Sequence, residues 1–311
     1  MMTFNMSILS TFIFALAAMA FFTLLERKIL GYMQLRKGPN KVSVMGLPQP
    51  IADALKLFTK SSSTPMMANL LPFLLSPMIS LVLALILWVL MPSPNPSMYL
   101  KYGLILFLCI SSLSVYTTIG MGWSSNSKYA LLGALRSVAQ TISYEVTLAL
   151  WLISALFLIN NMNIQWMMNN NMFSIMILSP IMMYIWFTCL LAETNRTPFD
   201  FTEGESELVS GFNTEYASSS FAFIFMSEYM NIMLVSIMSS ALFMQKMQSH
   251  IMSFTLMTMQ SIFIMVMFIV IRGTLPRMRY DRLMNLTWMS FLPLSLSYII
   301  NKVWLALFTL I

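Results

Sequence analysis

Eight apolar runs, each about as long as a bilayer is thick, leave this chain little freedom in what it can fold into. They are Ile8–Leu25, Leu70–Met91, Tyr102–Trp123, Ser137–Ile159, Phe173–Ala192, Ser219–Met244, Ile251–Ile271 and Leu286–Phe308. Roughly 20 apolar residues in a helix cross the hydrocarbon core. The expected fold is therefore all-α: a polytopic membrane protein of about eight spans, forming one membrane domain over residues 1–311. Pro72 and Pro77 fall in the second span, where a kink is tolerable because neighbouring helices satisfy the freed carbonyls. Asn301 and Lys302 interrupt the eighth near its end. Only 9% of residues are charged and 58% are hydrophobic, too few charges to cover a soluble domain of 311 residues.

The charges orient the spans. The segments after spans one, three, five and seven carry 7, 2, 1 and 4 Lys/Arg, so 14 of 17 lie on one side. Lys101, Lys246 and Lys302 are the remainder. Basic residues stay on the side from which helices are inserted, which puts both termini on the opposite side. All eleven Asp/Glu lie in the same odd-numbered segments or inside spans. Chemistry and docking are expected on that basic face and in the membrane beneath it.

Metal and redox ligands are scarce. Cys109 and Cys189 sit in apolar stretches, and His250, in a short loop, is the one histidine. Iron–sulfur clusters and zinc sites take three or four such ligands, and no glycine-rich nucleotide loop is present. No cofactor, metal or nucleic acid is expected on this chain. The first charge is Glu26, so the basic start of a cleavable secretory signal is missing as well.

Four groups of residues carry chemistry. The first basic segment opens with Glu26-Arg27-Lys28, turns at Gly38-Pro39-Asn40, and continues into Gln49–Lys60. There Ile51, Leu55 and Phe58 follow helical spacing while Asp53, Lys56 and Lys60 share another face, the pattern of a helix lying in the membrane interface. That pattern serves a surface anchor or a lateral doorway for an amphipathic ligand. The fifth segment holds Glu193, Arg196, Asp200, Glu203, Glu205, Glu207 and Glu215, a solvated patch or a coupled set of carboxylates that cannot all ionise freely. Two acids are intramembrane: Glu145, about 12 Å along its span, and Glu228, about 13 Å along its own. An acid at mid-bilayer costs about 2.5–3.5 kcal/mol on insertion scales, so functional placement is the default expectation. Tyr144 and Tyr229 adjoin them. The seventh segment, Arg272 to Arg282, contributes four arginines.

Three longer stretches resemble a known family. Leu25-Glu26-Arg27-Lys28-Ile29-Leu30-Gly31 through Arg36-Lys37-Gly38-Pro39-Asn40 is similar to the first signature of the subunit 1 family of respiratory complex I. Ala192-Glu193-Thr194-Asn195-Arg196-Thr197-Pro198-Phe199-Asp200, running on to Asn213, is similar to the second. Gly133-Ala134-Leu135-Arg136 with Gln140–Val146 resembles a third, and Pro276-Arg277 with Arg279-Tyr280-Asp281 resembles a shorter fourth.

The resemblance implies a core membrane subunit of NADH:ubiquinone oxidoreductase, in the mitochondrial inner membrane with both termini in the intermembrane space. Arg27, Arg36, Asp53, Lys56, Arg277 and Arg279 match charged positions of the family's ubiquinone tunnel. Glu145, Glu193, Asp200, Glu203, Glu205, Glu207 and Glu228 match its proton path. Ubiquinone is the implied substrate. Flavin and iron–sulfur clusters are implied in partners, among them the quinone-reducing peripheral-arm subunits and neighbouring membrane-arm subunits. The 33 methionines fit synthesis under an animal mitochondrial code, which reads an extra codon as Met. Met278 stands where the family usually has an aromatic, Ile51 where Phe is common, and Ser218-Ser219-Ser220 where Gly is frequent. A stand-alone ion or solute transporter and a membrane subunit of a related hydrogenase are the competing readings. The former is weakened by the lack of an internal repeat.

Overall fold

The computed structural model describes residues 2–93, 100–159, 161–170, 175–201, 204, 209, 211–244 and 250–310. The elements in order are α1 (Met2–Met33), α2 (Gln49–Thr59), α3 (Leu70–Trp88), α4 (Gly103–Ser124), α5 (Lys128–Ile159), α6 (Ile164–Asn170), α7 (Ile175–Leu178) and α8 (Pro180–Glu193). A 3-10 turn (Gly211–Glu215) precedes α9 (Ser218–Phe243) and α10 (His250–Thr274). The last crossing comprises α11 (Tyr280–Asn285), a π turn (Leu286–Phe291) and α12 (Leu292–Leu310). Seven described helical segments are long and apolar enough to cross a membrane, and Pro180–Glu193 is a shorter apolar helix.

Two departures from the expected spans have local causes. The fifth crossing is broken: Pro180 sits in the first turn of α8, where its missing N–H is harmless, and Ser179 leaves the helical region with φ −151°. Ser179 rescues the break by donating its N–H, at 2.9 Å, and its hydroxyl to the Ile175 carbonyl. Phe173, the expected start of this span, lies outside the described residues. In the eighth crossing Pro293 removes an N–H from the i→i−4 ladder, and the wider π turn stands just before it.

Helix α1 runs past its expected end at Leu25, so Glu26, Arg27 and Lys28 are helical and not in a loop. It stops in a paired C-terminal cap: Arg36 donates its N–H to the Gly31 carbonyl at 2.9 Å and Leu35 donates to Tyr32 at 3.1 Å. Leu35 takes φ 57° to make this turn. Helix α5 starts nine residues before the expected Ser137 and takes in Arg136. His250, expected in a loop, is the first residue of α10.

Helix α9 is the centre of the bundle, packing on α1, α2, α3, α6 and α10. Its most apolar window is 61% buried within the protein, against 17–50% for the other spans. Between apolar helices in lipid there is no hydrophobic drive to pack, so small residues and close van der Waals contact take over. Ser236, Ser239 and Ser240 are fully buried on α9, and each hydroxyl donates to the carbonyl three residues back. Gly122 of α4 meets Ala134 of α5 so closely that a Cβ there would fall 2.2 Å from the alanine Cβ. Below α9, Tyr216 stacks on Phe73 with centroids 4.2 Å apart and planes 4° apart.

Candidate functional site

Two cavities flank α9. The outer one, about 470 Å³, lies between α1, α2 and α9. Its walls are largely apolar, with Met19, Leu57, Phe58, Phe221, Phe225 and Met226 among them. Glu26, Arg27, Asp53, Tyr229 and Arg272 supply its polar side. The volume is in the range of roughly 300–1,000 Å³ typical of small-molecule sites, and an apolar wall with a few convergent polar groups is their usual chemistry.

Helix α2 is amphipathic as its spacing predicted, but its faces divide the work differently. Pro50, Asp53, Ala54 and Leu57 turn to the cavity, while Ile51 and Leu55 are exposed on another face. Arg27 donates to Asp53 at 2.6 Å, and Gln49 donates to the other Asp53 oxygen at 3.0 Å. The side chains of Arg27 and Asp53 are 53% and 36% exposed, so this pair is worth at most about 1 kcal/mol and acts mainly by fixing α2 against α1.

Deeper in stands a group that sequence reading passed over. Glu26, its side chain only 7% exposed, accepts from Arg272 and lies 3.8 Å from Arg196. The Arg196 guanidinium lies over the Tyr229 ring, 4.6 Å from its centroid. Four elements thus meet at one carboxylate: α1, the turn after α8, α9 and α10. A buried charge is tolerated when opposite charges and donors surround it, and removing one partner costs several kcal/mol. The available signal was the three-residue pattern Glu26, Arg196 and Arg272, one charge from each of three segments on the basic side.

Arg196 reaches this position because α8 ends in a cap like that of α1. Asn195 takes φ 50°, a conformation asparagine tolerates well, and the Arg196 N–H closes onto the Leu191 carbonyl at 3.1 Å. Gln140 of α5 holds the same turn from the side, donating its Nε2 to the carbonyls of Ala192 at 2.9 Å and Phe199 at 2.8 Å.

The inner cavity, about 90 Å³, is enclosed by α3, α4, α5, α9 and the end of α8. Glu193, Asn195, Ser227, Glu228 and Asn231 line it, with Ser111, Ser114, Thr118 and Thr141 on the facing helices. That volume and those donors suit several bridging waters. Glu193 keeps a partly accessible surface although it is deep in the protein, because it faces this cavity.

The remaining expected residues are placed as follows. Glu145 is half-buried on α5, close enough to Glu193 for their charges to interact. Asp200 is half-buried in the fifth segment, while Glu203, Glu205 and Glu207 lie outside the described residues. Arg36 and Lys56 are exposed and line neither cavity. Arg277 lies over the Phe201 ring at 5.1 Å and against Gly204, while Arg279 pairs with Asp281 at 3.0 Å on the surface. The Met278 N–H donates to the Pro198 carbonyl at 3.0 Å, so the fifth and seventh segments are packed together. Met278 and Ile51 are exposed, and Ser218 adopts φ 55°, a region that favours glycine. Among the described residues no group of three or more His, Cys, Asp or Glu is arranged to hold a metal ion.

Comparison with known proteins matches residues 6–303 to the family described as NADH dehydrogenase. The chain is 52% identical over 297 residues to a protein of Aedes aegypti named NADH-ubiquinone oxidoreductase chain 1, covering 95% of this chain and 93% of that one. Proteins of the same name from Heterololigo bleekeri and Tamias sibiricus are 52% and 48% identical. They cover 91% and 94% of this chain, and 91% and 94% of their own lengths. With a family match over nearly its whole length and relatives at about half identity, the chain belongs to the NADH dehydrogenase family, among the proteins named chain 1 of NADH-ubiquinone oxidoreductase.

Proposed function

We infer that the chain is a multi-pass inner-membrane subunit of mitochondrial NADH:ubiquinone oxidoreductase, and that the outer cavity is the place where ubiquinone enters it from the bilayer. The observation that carries this reading is the cavity itself. An isoprenoid quinone is an apolar tail on a ring with polar oxygens, and the cavity pairs apolar walls with Arg27, Asp53, Tyr229 and Arg272. It is bounded by α2, whose Ile51 and Leu55 are exposed in the manner of an interfacial helix. Arg36, Lys56, Arg277 and Arg279 lie outside this cavity and belong to the part of the tunnel that the quinone-reducing peripheral-arm subunits complete. Those partners carry the flavin and iron–sulfur clusters, and both termini lie in the intermembrane space.

The inner cavity is the start of the proton path. Glu193 and Glu228 share it, Glu145 interacts with Glu193, and Asp200, Glu203, Glu205 and Glu207 feed it from the fifth segment. An ionisable group held in the hydrocarbon region earns retention by exchanging a proton, and waters among serine, threonine and asparagine side chains can relay one. Names borne by the relatives favour a chain of a multi-subunit oxidoreductase over a stand-alone transporter.

A photoreactive ubiquinone analogue added to the assembled complex tests the site. Labelling is expected on α1 between Met19 and Leu30, on Pro50–Phe58, or on α9 between Phe221 and Tyr229. Labels confined to the opposite face, around Lys101 and Asn161–Asn170, would overturn the assignment.

A further inference from the structure

Arg196 stands between the two cavities. Its guanidinium touches Glu26 and the Tyr229 ring, both of which line the outer cavity. Its backbone closes the turn that carries Glu193, Thr194 and Asn195, all of which line the inner one. The turn is stiff. It is tied at Leu191 by the cap bond and at Ala192 and Phe199 by Gln140, so the segment between them has no slack to absorb a displacement of Arg196.

We propose that Arg196 is a positioning residue that couples the two cavities, transmitting the presence of a ring in the outer cavity to the carboxyl of Glu193 in the inner one. The proposal rests on the reading of the outer cavity as a quinone site. A polar ring arriving beside Tyr229 and Glu26 competes for the contacts that hold the guanidinium. The guanidinium is anchored by geometry as well as charge: one face covers the Tyr229 ring while the edge addresses Glu26, an arrangement that the compact lysine ammonium does not reproduce. With a side chain 11% exposed, Arg196 has no solvent into which to relax, so its shift passes to the cap turn and to Glu193. Coupling between two sites is reciprocal in binding free energy, which makes it measurable from either end.

The test is a double-mutant cycle on equilibrium binding of decylubiquinone to the assembled complex, in a homologous system that permits mutation. In the wild-type background E193Q is expected to change the dissociation constant about fivefold or more. In an R196M background the same change is expected to fall below about twofold, the level of independent sites. R196K, which keeps the charge and loses the planar face, should fall between them. Where R196M does not assemble, E26Q takes its place in the cycle with the same expected outcome, since it removes the other end of the contact. An equal effect of E193Q in both backgrounds, or no effect in either, would overturn the role of Arg196. Quinone labelling of α1, α2 or α9 distinguishes the two failures: intact labelling with an additive cycle removes only the coupling role, whereas absent labelling removes the quinone site itself.

Discussion

Glu228 and Tyr229 are consecutive in the chain and face different cavities: Glu228 lines the inner one and Tyr229 the outer one. A helix turns 100° per residue, so neighbours on α9 address different sides of the bundle. Helix α9 is thus the partition between the apolar-walled space and the polar, acidic one, and the buried charges gather where it meets α1, α8 and α10.

Neutralising Glu26 is expected to cost far more than breaking the adjacent surface pair. Glu26→Gln leaves Arg272 and Arg196 facing an uncharged group in a buried site, a loss of about 3–5 kcal/mol. Arg27→Ala removes a pair open to solvent and costs under about 1 kcal/mol. Thermal inactivation of the assembled complex should show a clear drop for the first variant and little change for the second. Equal drops would mean that Glu26 is no more deeply embedded than Arg27.

Gly133 and Gly204 make opposite predictions for the same substitution. A Cβ at Gly133 would lie 2.9 Å from the Cα of Gly211, backbone against backbone, with no side chain free to move. Gly133→Ala is therefore expected to cost about 1–3 kcal/mol and lower the yield of assembled complex. A Cβ at Gly204 would meet the end of the Arg277 side chain, which can swing aside. Gly204→Ala should assemble normally while releasing Arg277 from Phe201, read as altered reactivity of Arg277 towards an arginine reagent. Normal assembly of Gly133→Ala would contradict the close contact of α5 with the 3-10 turn.

Sidedness is open to direct labelling. In a background lacking the exposed Cys109, single cysteines at Met66 and Lys101 should react with an impermeant thiol reagent from opposite faces of the membrane. Reaction of both from one face would refute the topology drawn from the 14-to-3 division of basic residues.

Replacing Glu145 or Glu228 by Gln keeps shape and hydrogen bonding but removes the exchangeable proton. Each variant, assembled in a mutable homologous complex, is expected to lose most proton translocation and to slow quinone reduction coupled to it. The quantity to measure is protons moved per electron in sealed vesicles. A normal ratio in both variants would make these acids structural and end the proposed path.

Hydropathy along the chain was enough to determine the membrane class and most of the spanning helices, because lipid forces every span to be long, apolar and internally hydrogen-bonded. The four quoted motifs were enough for the family. Helix phase also made α2 legible, since Ile51, Leu55 and Phe58 recur at helical spacing. Tertiary structure alone decided which charges meet. Glu26 reads in sequence as the first residue of a basic loop, and only the approach of α10 and the turn after α8 makes it a buried partner of Arg272 and Arg196. Arg27 and Arg36 look alike along the chain and both are exposed, yet only Arg27 lines a cavity. The reason is distance: Glu26 and Arg272 are 246 residues apart, and hydropathy reports where a residue sits across the membrane but not which helices become its neighbours.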